Sequence, residues 1–405
     1  MMLERFSVHF ALLMALLGLQ PVFAAQEGPL TDLCEPAFSG GQSGERPRVV
    51  EPLYPGERFR VGAGAEAFLV TEQLGRGSLR TVFQAESLQN SENLLVVSLM
   101  PPGGSFGFAR IQENKPILRE GLRRFYSVTQ EFLRGPVRPG AWSPYVRIEI
   151  EPVDLVLGSE GERFELGMVG EYGLSAERLL ETRASLGEYS VEELKLRLVL
   201  GEELSRAVEW FDGNELEHLD IKLGNVVALG EGEATPENFL SGQRFFALAD
   251  HGLLRRRGRL FEGDAVYGTP QTMGPEQMTG EVVGRPGMIF SVGMTVLQSL
   301  WTDAQMRETV PAVAGMGINP IRNRVEQTFQ AEIARTSGER RDILMHLKHF
   351  LLSRLVHSPQ ERELQPSWIQ TGDARQRHWT ATQTLVRRRS RMRSMISSEM
   401  PELLR

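Results

Sequence analysis

The chain has 405 residues, of which 41% are apolar and 24% charged, with a net charge of −7. That balance excludes a wholly disordered polypeptide and a basic nucleic-acid-binding protein, and the length suits one two-lobed domain or two small ones. Met1–Ala24 has the form of a secretory signal: Arg5, an apolar run through Ala11–Leu17, then Val22-Phe23-Ala24 with small residues at the positions a signal peptidase reads. Cleavage is expected after Ala24. A membrane anchor is the competing reading, but the run is well under the roughly 20 residues needed to span a bilayer. No later stretch is apolar for long enough, so a soluble, secreted product with no transmembrane segment is expected. Cys34 is the single cysteine, so the core is expected to form without an intrachain disulfide; Cys34 reads as a free thiol or an intermolecular partner. Residues 25–64, rich in Gly, Pro, Ser and Glu, read as a leader or linker that wraps the domain.

From Ala67 the pattern changes. Phe68-Leu69-Val70 begins a strand, and Gly75-Arg76-Gly77-Ser78-Leu79-Arg80-Thr81-Val82-Phe83 makes a glycine turn into a second strand. Absent side chains at Gly75 and Gly77 leave the backbone there open to close approach, though a lone Gly-x-Gly also suits an ordinary hairpin. Leu94–Met100 is a third strand, and Lys115 and Pro116 open a helix that carries Glu120 with apolar residues at Leu118, Leu122 and Phe125. A strand over Arg163–Gly170 runs into Glu171-Tyr172-Gly173. Ser190-Val191-Glu192-Glu193 forms a capping box, followed at helical spacing by Leu200, Leu204, Val208 and Phe211.

Directly after that helix stands His218-Leu219-Asp220-Ile221-Lys222-Leu223-Gly224-Asn225, with a Lys two residues and an Asn five residues beyond the Asp. A buried-type strand then ends in Asp250-His251-Gly252; the long polar stretch before it reads as a surface insertion. Tyr267-Gly268-Thr269-Pro270 and Gly274-Pro275-Glu276 follow, then the apolar helix pattern of Phe290–Leu297, and finally a segment that closes on Arg362.

In this order and spacing, residues 65–372 resemble a eukaryotic-type protein kinase domain, with a small lobe over 65–172 and a large lobe over 173–372. The resemblance implies an α+β, bilobal protein-kinase-like fold and the transfer of a γ-phosphate from ATP, bound with Mg²⁺, to protein hydroxyls. It implies Asp220 as the group that orients the substrate hydroxyl and accepts its proton, and Lys222 as a cation on the γ-phosphate, in the manner of serine/threonine kinases. Asn225 and Asp250 are implied as Mg²⁺ ligands, and Gly75, Gly77 and Val82 as the nucleotide-covering loop. Glu171 and Tyr172 correspond to the hinge whose backbone bonds the adenine. Gly170 falls at the gatekeeper position, which leads to the expectation of an open back pocket. Arg362 and Glu276 are expected to form an ion pair.

Several positions depart from the pattern. Met100 stands where a third-strand Lys usually holds the α- and β-phosphates and pairs with a helix Glu, for which Glu120 is the candidate. Arg80 stands where the with-no-lysine kinases place their displaced cation, so it reads either as the phosphate-binding group or as a solvent-facing strand residue. His251 replaces a Phe, and Met288 replaces the Asp that opens the anchoring helix. Leu219 replaces the Arg that clamps a phosphorylated loop, so activation by loop phosphorylation is not expected.

The signal and the degenerate positions together resemble the secreted rhoptry kinases and pseudokinases of coccidian parasites. That implies residence in a parasite secretory organelle or host-cell vacuole and an unidentified protein substrate or partner. Two functional readings follow. One is an atypical serine/threonine kinase; the other is a pseudokinase acting as a nucleotide- or protein-binding allosteric module. The basic run Arg255-Arg256-Arg257-Gly258-Arg259 reads as a docking patch for acidic or phosphorylated groups or as a solvated loop. The tail, 373–405, carries Arg387, Arg388, Arg389, Arg391 and Arg393 and reads as a solvated helix or a weak contact for an anionic membrane.

Overall fold

The computed structural model describes residues 55–56, 58–61, 67–76, 81–89, 94–99, 115–135, 140–157, 162–261, 266–281, 283–308, 318–356, 359–362 and 372–395. The signal, most of the leader with Cys34, Gly77, Arg80 and Met100 lie outside them.

The small lobe is an antiparallel sheet built from β1 (Arg58–Val61), β2 (Ala67–Arg76), β3 (Thr81–Ser87), β4 (Leu94–Leu99), β5 (Glu149–Leu157) and β6 (Glu162–Glu171), with the helix α1 (Lys115–Arg134) packed beside it. The order is β1-β2-β3-β4-β6-β5, and β1 closes it into a barrel by pairing with both β2 and β5. Alternation explains the packing: Phe68 and Val70 on β2 and Phe83 and Ala85 on β3 are buried, with intervening residues less so. Phe59 of β1 stacks on Phe68 with ring centroids 5.6 Å apart. Strand β1 thus lies ahead of residue 65 and buries Phe59 in the sheet's core.

The larger part is mainly helical. In chain order it contains β7 (Leu174–Ser175), α2 (Ala176–Leu179), α3 (Val191–Gly213), β8 (Leu216–His218), β9 (Val226–Gly230), α4 (Pro236–Ser241), β10 (Arg244–Leu248), β11 (Leu254–Arg256), α5 (Pro275–Met278), α6 (Gly284–Gln298), α7 (Asp303–Arg307), α8 (Asn319–Ile333), α9 (Gly338–Arg354) and α10 (Gly372–Met395). A small sheet lobe over a larger helical lobe is the bilobal α+β fold expected from the motifs.

The capping box forms as expected: the Glu193 N–H donates to Ser190 Oγ at 3.0 Å and the Ser190 N–H to Glu193 Oε2 at 2.7 Å. Helix α3 is the spine of the large lobe, burying Leu194, Leu200, Leu204, Val208 and Phe211 against α6, α9 and β10. Gly201 is required there, since a Cβ would sit 2.3 Å from the Phe350 ring of α9.

The polar stretch after Asn225, read as a surface insertion, carries its own secondary structure. It forms the β9–β10 hairpin with α4 between, capped by Thr235 and closed by Gly242 at φ 80°, and Phe239 stacks on Phe246 at 4.5 Å.

The C-terminal helix α10 packs one face into the protein instead of standing solvated on all sides. Ala374, Ala381, Leu385 and Met392 are buried, and Arg388 and Arg389 turn inward with them. Arg389 donates to the carbonyls of Phe132, Leu133 and Gly135, the unsatisfied acceptors at the end of α1. No helix among the described residues is long and apolar enough to cross a membrane.

Candidate active site

Four side chains converge on the loop after β8. Asp220 Oδ1 accepts the Thr269 hydroxyl at 2.6 Å, and Oδ2 accepts the Asn225 amide at 2.9 Å and lies 2.8 Å from the Lys222 ammonium. Lys222 also donates to Thr269 Oγ1 at 3.0 Å, and the Asn225 amide reaches the Asp220 carbonyl at 2.8 Å. Burial pushes the Asp220 carboxyl up, but the Lys222 charge and the hydrogen bonds from Lys222 and Thr269 outweigh it and hold the group below its ordinary range. The result is an ionised carboxylate, fixed on one side by an amide and on the other by a hydroxyl and an ammonium. The sequence points to Asp220, Lys222 and Asn225; it marks Thr269 only as part of a tripeptide. Its role rests on a contact with Asp220 across 49 residues.

The loop is held from below by α6. The His218 N–H donates to Met288 Sδ at 3.3 Å, Thr295 Oγ1 to the Ile221 carbonyl at 3.2 Å, and the Leu223 N–H to Gln298 Oε1 at 3.0 Å. Met288 thus meets the backbone where an acidic residue was expected, with a softer and weaker acceptor. Gln277 bridges the Leu219 and Tyr267 carbonyls at 2.6 Å each. Gly268, at φ 124°, brings its backbone so close to Leu219 that a Cβ would meet the carbonyl at 2.4 Å, which accounts for glycine beside Thr269. Arg362 and Glu276 form the expected pair, buried, at 2.5 and 3.1 Å.

Asp250 adopts the left-handed conformation, φ 56° and ψ 69°, which leaves its side chain exposed while His251 turns into the core. The His251 ring lies 4.3 Å from Phe125 of α1 and 5.6 Å from His218. Burial pushes both imidazoles down, joined by His251 at His218, which falls to about 3, and by Arg147 at His251, so both stand neutral as packing rings. The Ala249 N–H bonds the Asn225 carbonyl at 2.8 Å, fixing Asn225 and Asp250 as neighbours. With both amide hydrogens of Asn225 spent on Asp220, its remaining acceptor is the carbonyl oxygen. An amide oxygen and an exposed carboxylate form a donor set suited to a hard divalent cation.

Three expectations change. Glu120 is engaged by the segment after Asp250: Arg259 donates to it at 3.0 and 3.1 Å and Arg256 at 3.4 Å. The pair forms because β11 runs beside α1; the Leu254 carbonyl would lie 2.4 Å from a Cβ at Gly121. The basic run is accordingly neither a free docking patch nor unpaired: Arg255 is buried on Glu217 at 2.6 and 2.8 Å, and Arg257 meets Asp212 at 2.9 Å.

The back of the cleft behind Gly170 is filled instead of open. A Cβ on Gly170 would lie 3.2 Å from Arg147 Nε, and Arg147 donates through Nε to Glu149 Oε1 at 2.6 Å. Glu149 is fully buried and accepts the N–H groups of Asp250 at 3.0 Å and His251 at 3.3 Å. The Glu149 carboxyl is pushed up by burial but brought to about 2 by Arg147 and His251. Neither residue was singled out from the sequence, where Arg147 stands just ahead of a strand that carries Glu151 and Asp154 besides Glu149.

Glu171 stands at the end of β6. Its side chain is held by Arg388, and its N–H donates to the Ile148 carbonyl at 3.3 Å; Tyr172, half-buried, follows. Val82 lies on β3 opposite Gly75 and Ser98, so strand pairing keeps the two ends of the glycine turn together.

No protein-family model matches the chain. It is 32% identical to Mitogen-activated protein kinase kinase kinase 17 of Arabidopsis thaliana over 111 residues, 26% of this chain and 26% of that protein. It is 26% identical to Mitogen-activated protein kinase kinase kinase 3 of Homo sapiens over 171 residues, 38% of this chain and 26% of that protein. The matched segments span 26% of the length of each of these relatives. Among solved structures it is similar to a chain of the CAK complex from Chaetomium thermophilum bound to ATP-gamma-S, at 18% identity and TM-score 0.44, covering 75% of this chain and 91% of that one. Over those segments the chain is similar to protein kinases.

Proposed function

We propose that this protein binds ATP with Mg²⁺ and transfers the γ-phosphate to serine or threonine hydroxyls of a protein. The observation that carries the reading is the Asp220 cluster, in which a carboxylate, an ammonium and a hydroxyl meet within 3.0 Å. Phosphoryl transfer needs in-line positioning and charge neutralisation more than covalent chemistry. Asp220, ionised and held by Asn225 and Thr269, accepts the hydrogen bond of an incoming hydroxyl and takes its proton. Lys222 supplies positive charge beside it. Asn225 and Asp250 would hold Mg²⁺, which when bound neutralises phosphate charge. The backbone at Glu171 and Tyr172 and the strands β2 and β3, with Gly75, Gly77 and Val82, complete the nucleotide site in this reading.

A second reading, a pseudokinase that binds nucleotide or protein without turnover, draws support from Glu120. Its carboxylate is committed to Arg256 and Arg259 rather than to a phosphate-holding cation. Secretion through Met1–Ala24, and residence in a secretory organelle or vacuole, rest on the leader and the resemblance; N-terminal sequencing of the chain recovered from a secreting cell tests the first. Thermal melting of the full chain with millimolar ATP, with and without Mg²⁺, tests both nucleotide readings, and labelled-phosphate transfer by the unaltered chain and Asp220→Ala separates them.

A further inference from the structure

A cation and a buried acid lie together beside Asp250, and neither comes from the elements expected to supply them. Glu149 is paired in register with Gly170 across β5 and β6, and its carboxylate is bonded to the backbone of Asp250 and His251 on the other side. Arg147, two residues earlier, brings Nε and Cζ to 3.2 and 3.3 Å from the place a Gly170 side chain would take. The guanidinium therefore stands between the hinge strand and the residue assigned to Mg²⁺. Only one of its edges is spent: Nε and Nη2 face Glu149, while Nη1 has no hydrogen bond to a described residue. Arg147 is 6% exposed, so this free edge belongs to a guanidinium already stripped of most of its water.

Burying such a pair solely for stability gains little, because desolvation offsets the attraction. A guanidinium pinned on one edge by a carboxylate and open on the other is a fork for phosphate oxygens, and pinning reduces the entropy lost on binding. The small residue at 170 is then explained, since any side chain there would displace the cation.

We propose that Arg147, held by Glu149, receives the α- and β-phosphates of the nucleotide in this chain, in place of a third-strand lysine and its helix glutamate. This inference rests on the nucleotide-binding reading above and takes the phosphate-binding role away from Arg80. Glu149 acts as a positioning residue for both Arg147 and Asp250.

The test is calorimetric titration of the full chain with ATP–Mg, ADP–Mg and adenosine, comparing the unaltered protein with Arg147→Lys, Arg80→Ala and the double variant Arg147→Met/Glu149→Gln, which leaves no unpaired charge. With circular dichroism matching the unaltered chain, the double variant is expected to lose about tenfold or more in ATP and ADP affinity while adenosine affinity holds. Arg147→Lys is expected to recover most of the loss, and Arg80→Ala to change little. Should the double variant fail to fold, Arg147→Gln, which keeps a donor for Glu149, gives the same ATP-to-adenosine ratio. A folded variant that binds ATP as the unaltered chain does, or that loses adenosine equally, overturns the inference alone. An unaltered chain that binds no ATP overturns the nucleotide-binding reading and the inference with it.

Discussion

Arg388 of α10 bonds both carboxylate oxygens of Glu171 at the end of β6, at 2.8 and 2.6 Å, across 217 residues of sequence. The same guanidinium reaches the Pro144 carbonyl at 2.7 Å, and its neighbour Arg389 caps α1. The C-terminal helix thereby ties the segment assigned as hinge to the small-lobe helix. Its basic residues act at least partly as structure.

Because both partners are buried, removing one leaves the other charged and unpaired. Arg388→Ala is expected to cost about 3–5 kcal/mol in denaturant unfolding. Arg387→Ala, which breaks a pair with Glu231 whose members are 65% and 56% exposed, is expected to cost at most about 1 kcal/mol. Equal effects would remove the distinction between an inward and an outward face of α10.

Arg362 and Glu276 offer a second buried pair, at 0% and 7% side-chain exposure. Glu276→Gln is expected to destabilise by about 3 kcal/mol or more, since the buried Arg362 guanidinium loses its carboxylate partner. Urea unfolding followed by tryptophan fluorescence measures it.

Glu120 sits half-buried on the segment after Asp250, so its pairs with Arg256 and Arg259 are partly screened. Glu120→Gln is expected to change global stability by about 1 kcal/mol or less. It is expected to speed limited proteolysis within residues 255–259, because local opening there loses its charged tether. Unchanged cleavage would show that the remaining pairs, Arg255 on Glu217, Arg256 on Glu215 and Arg257 on Asp212, hold the segment without Glu120.

The pH dependence of stability has two opposed contributions. Glu149 is lowered in the folded state from 4.5 to about 2, so its contribution is present above 4.5 and lost as pH falls toward 2. Glu203 is raised well above 4.5 by burial, which outweighs the Phe246 N–H that bonds it at 2.7 Å. The folded chain then holds a proton that the unfolded chain releases, so its contribution is full below 4.5 and declines as pH rises. Unfolding free energies of Glu203→Gln and the unaltered chain across pH 5–8 are expected to differ in slope, the variant falling less steeply. Parallel curves would place an ionised carboxylate at Glu203.

How much was legible in the sequence follows from how local each signal is. The Asp220–Asn225 loop, the Asp250 turn and the Ser190 cap are short patterns whose geometry is set by their own residues, and the structure places them on the expected elements. The Arg362–Glu276 pair was reachable because both ends carry recognisable marks. Glu120 has a partner decided by how closely β11 runs to α1, which only the packed lobes determine. The inward turn of Arg388 depends on Glu171, and the filling behind Gly170 on Arg147; neither contact leaves a trace in local periodicity. Strand β1 escaped because four residues after a polar leader give too little alternation to read.

The central claim is that the site around Asp220 transfers phosphate from ATP–Mg to a hydroxyl. It is tested most directly by following labelled γ-phosphate from ATP to a serine- and threonine-containing protein substrate, using the full chain and Asp220→Ala side by side. The expected result is transfer that needs Mg²⁺, appears on serine or threonine, and falls by about a hundredfold or more in the variant. Transfer undiminished by Asp220→Ala, or none from a chain that melts at the same temperature with and without millimolar ATP–Mg, would contradict it.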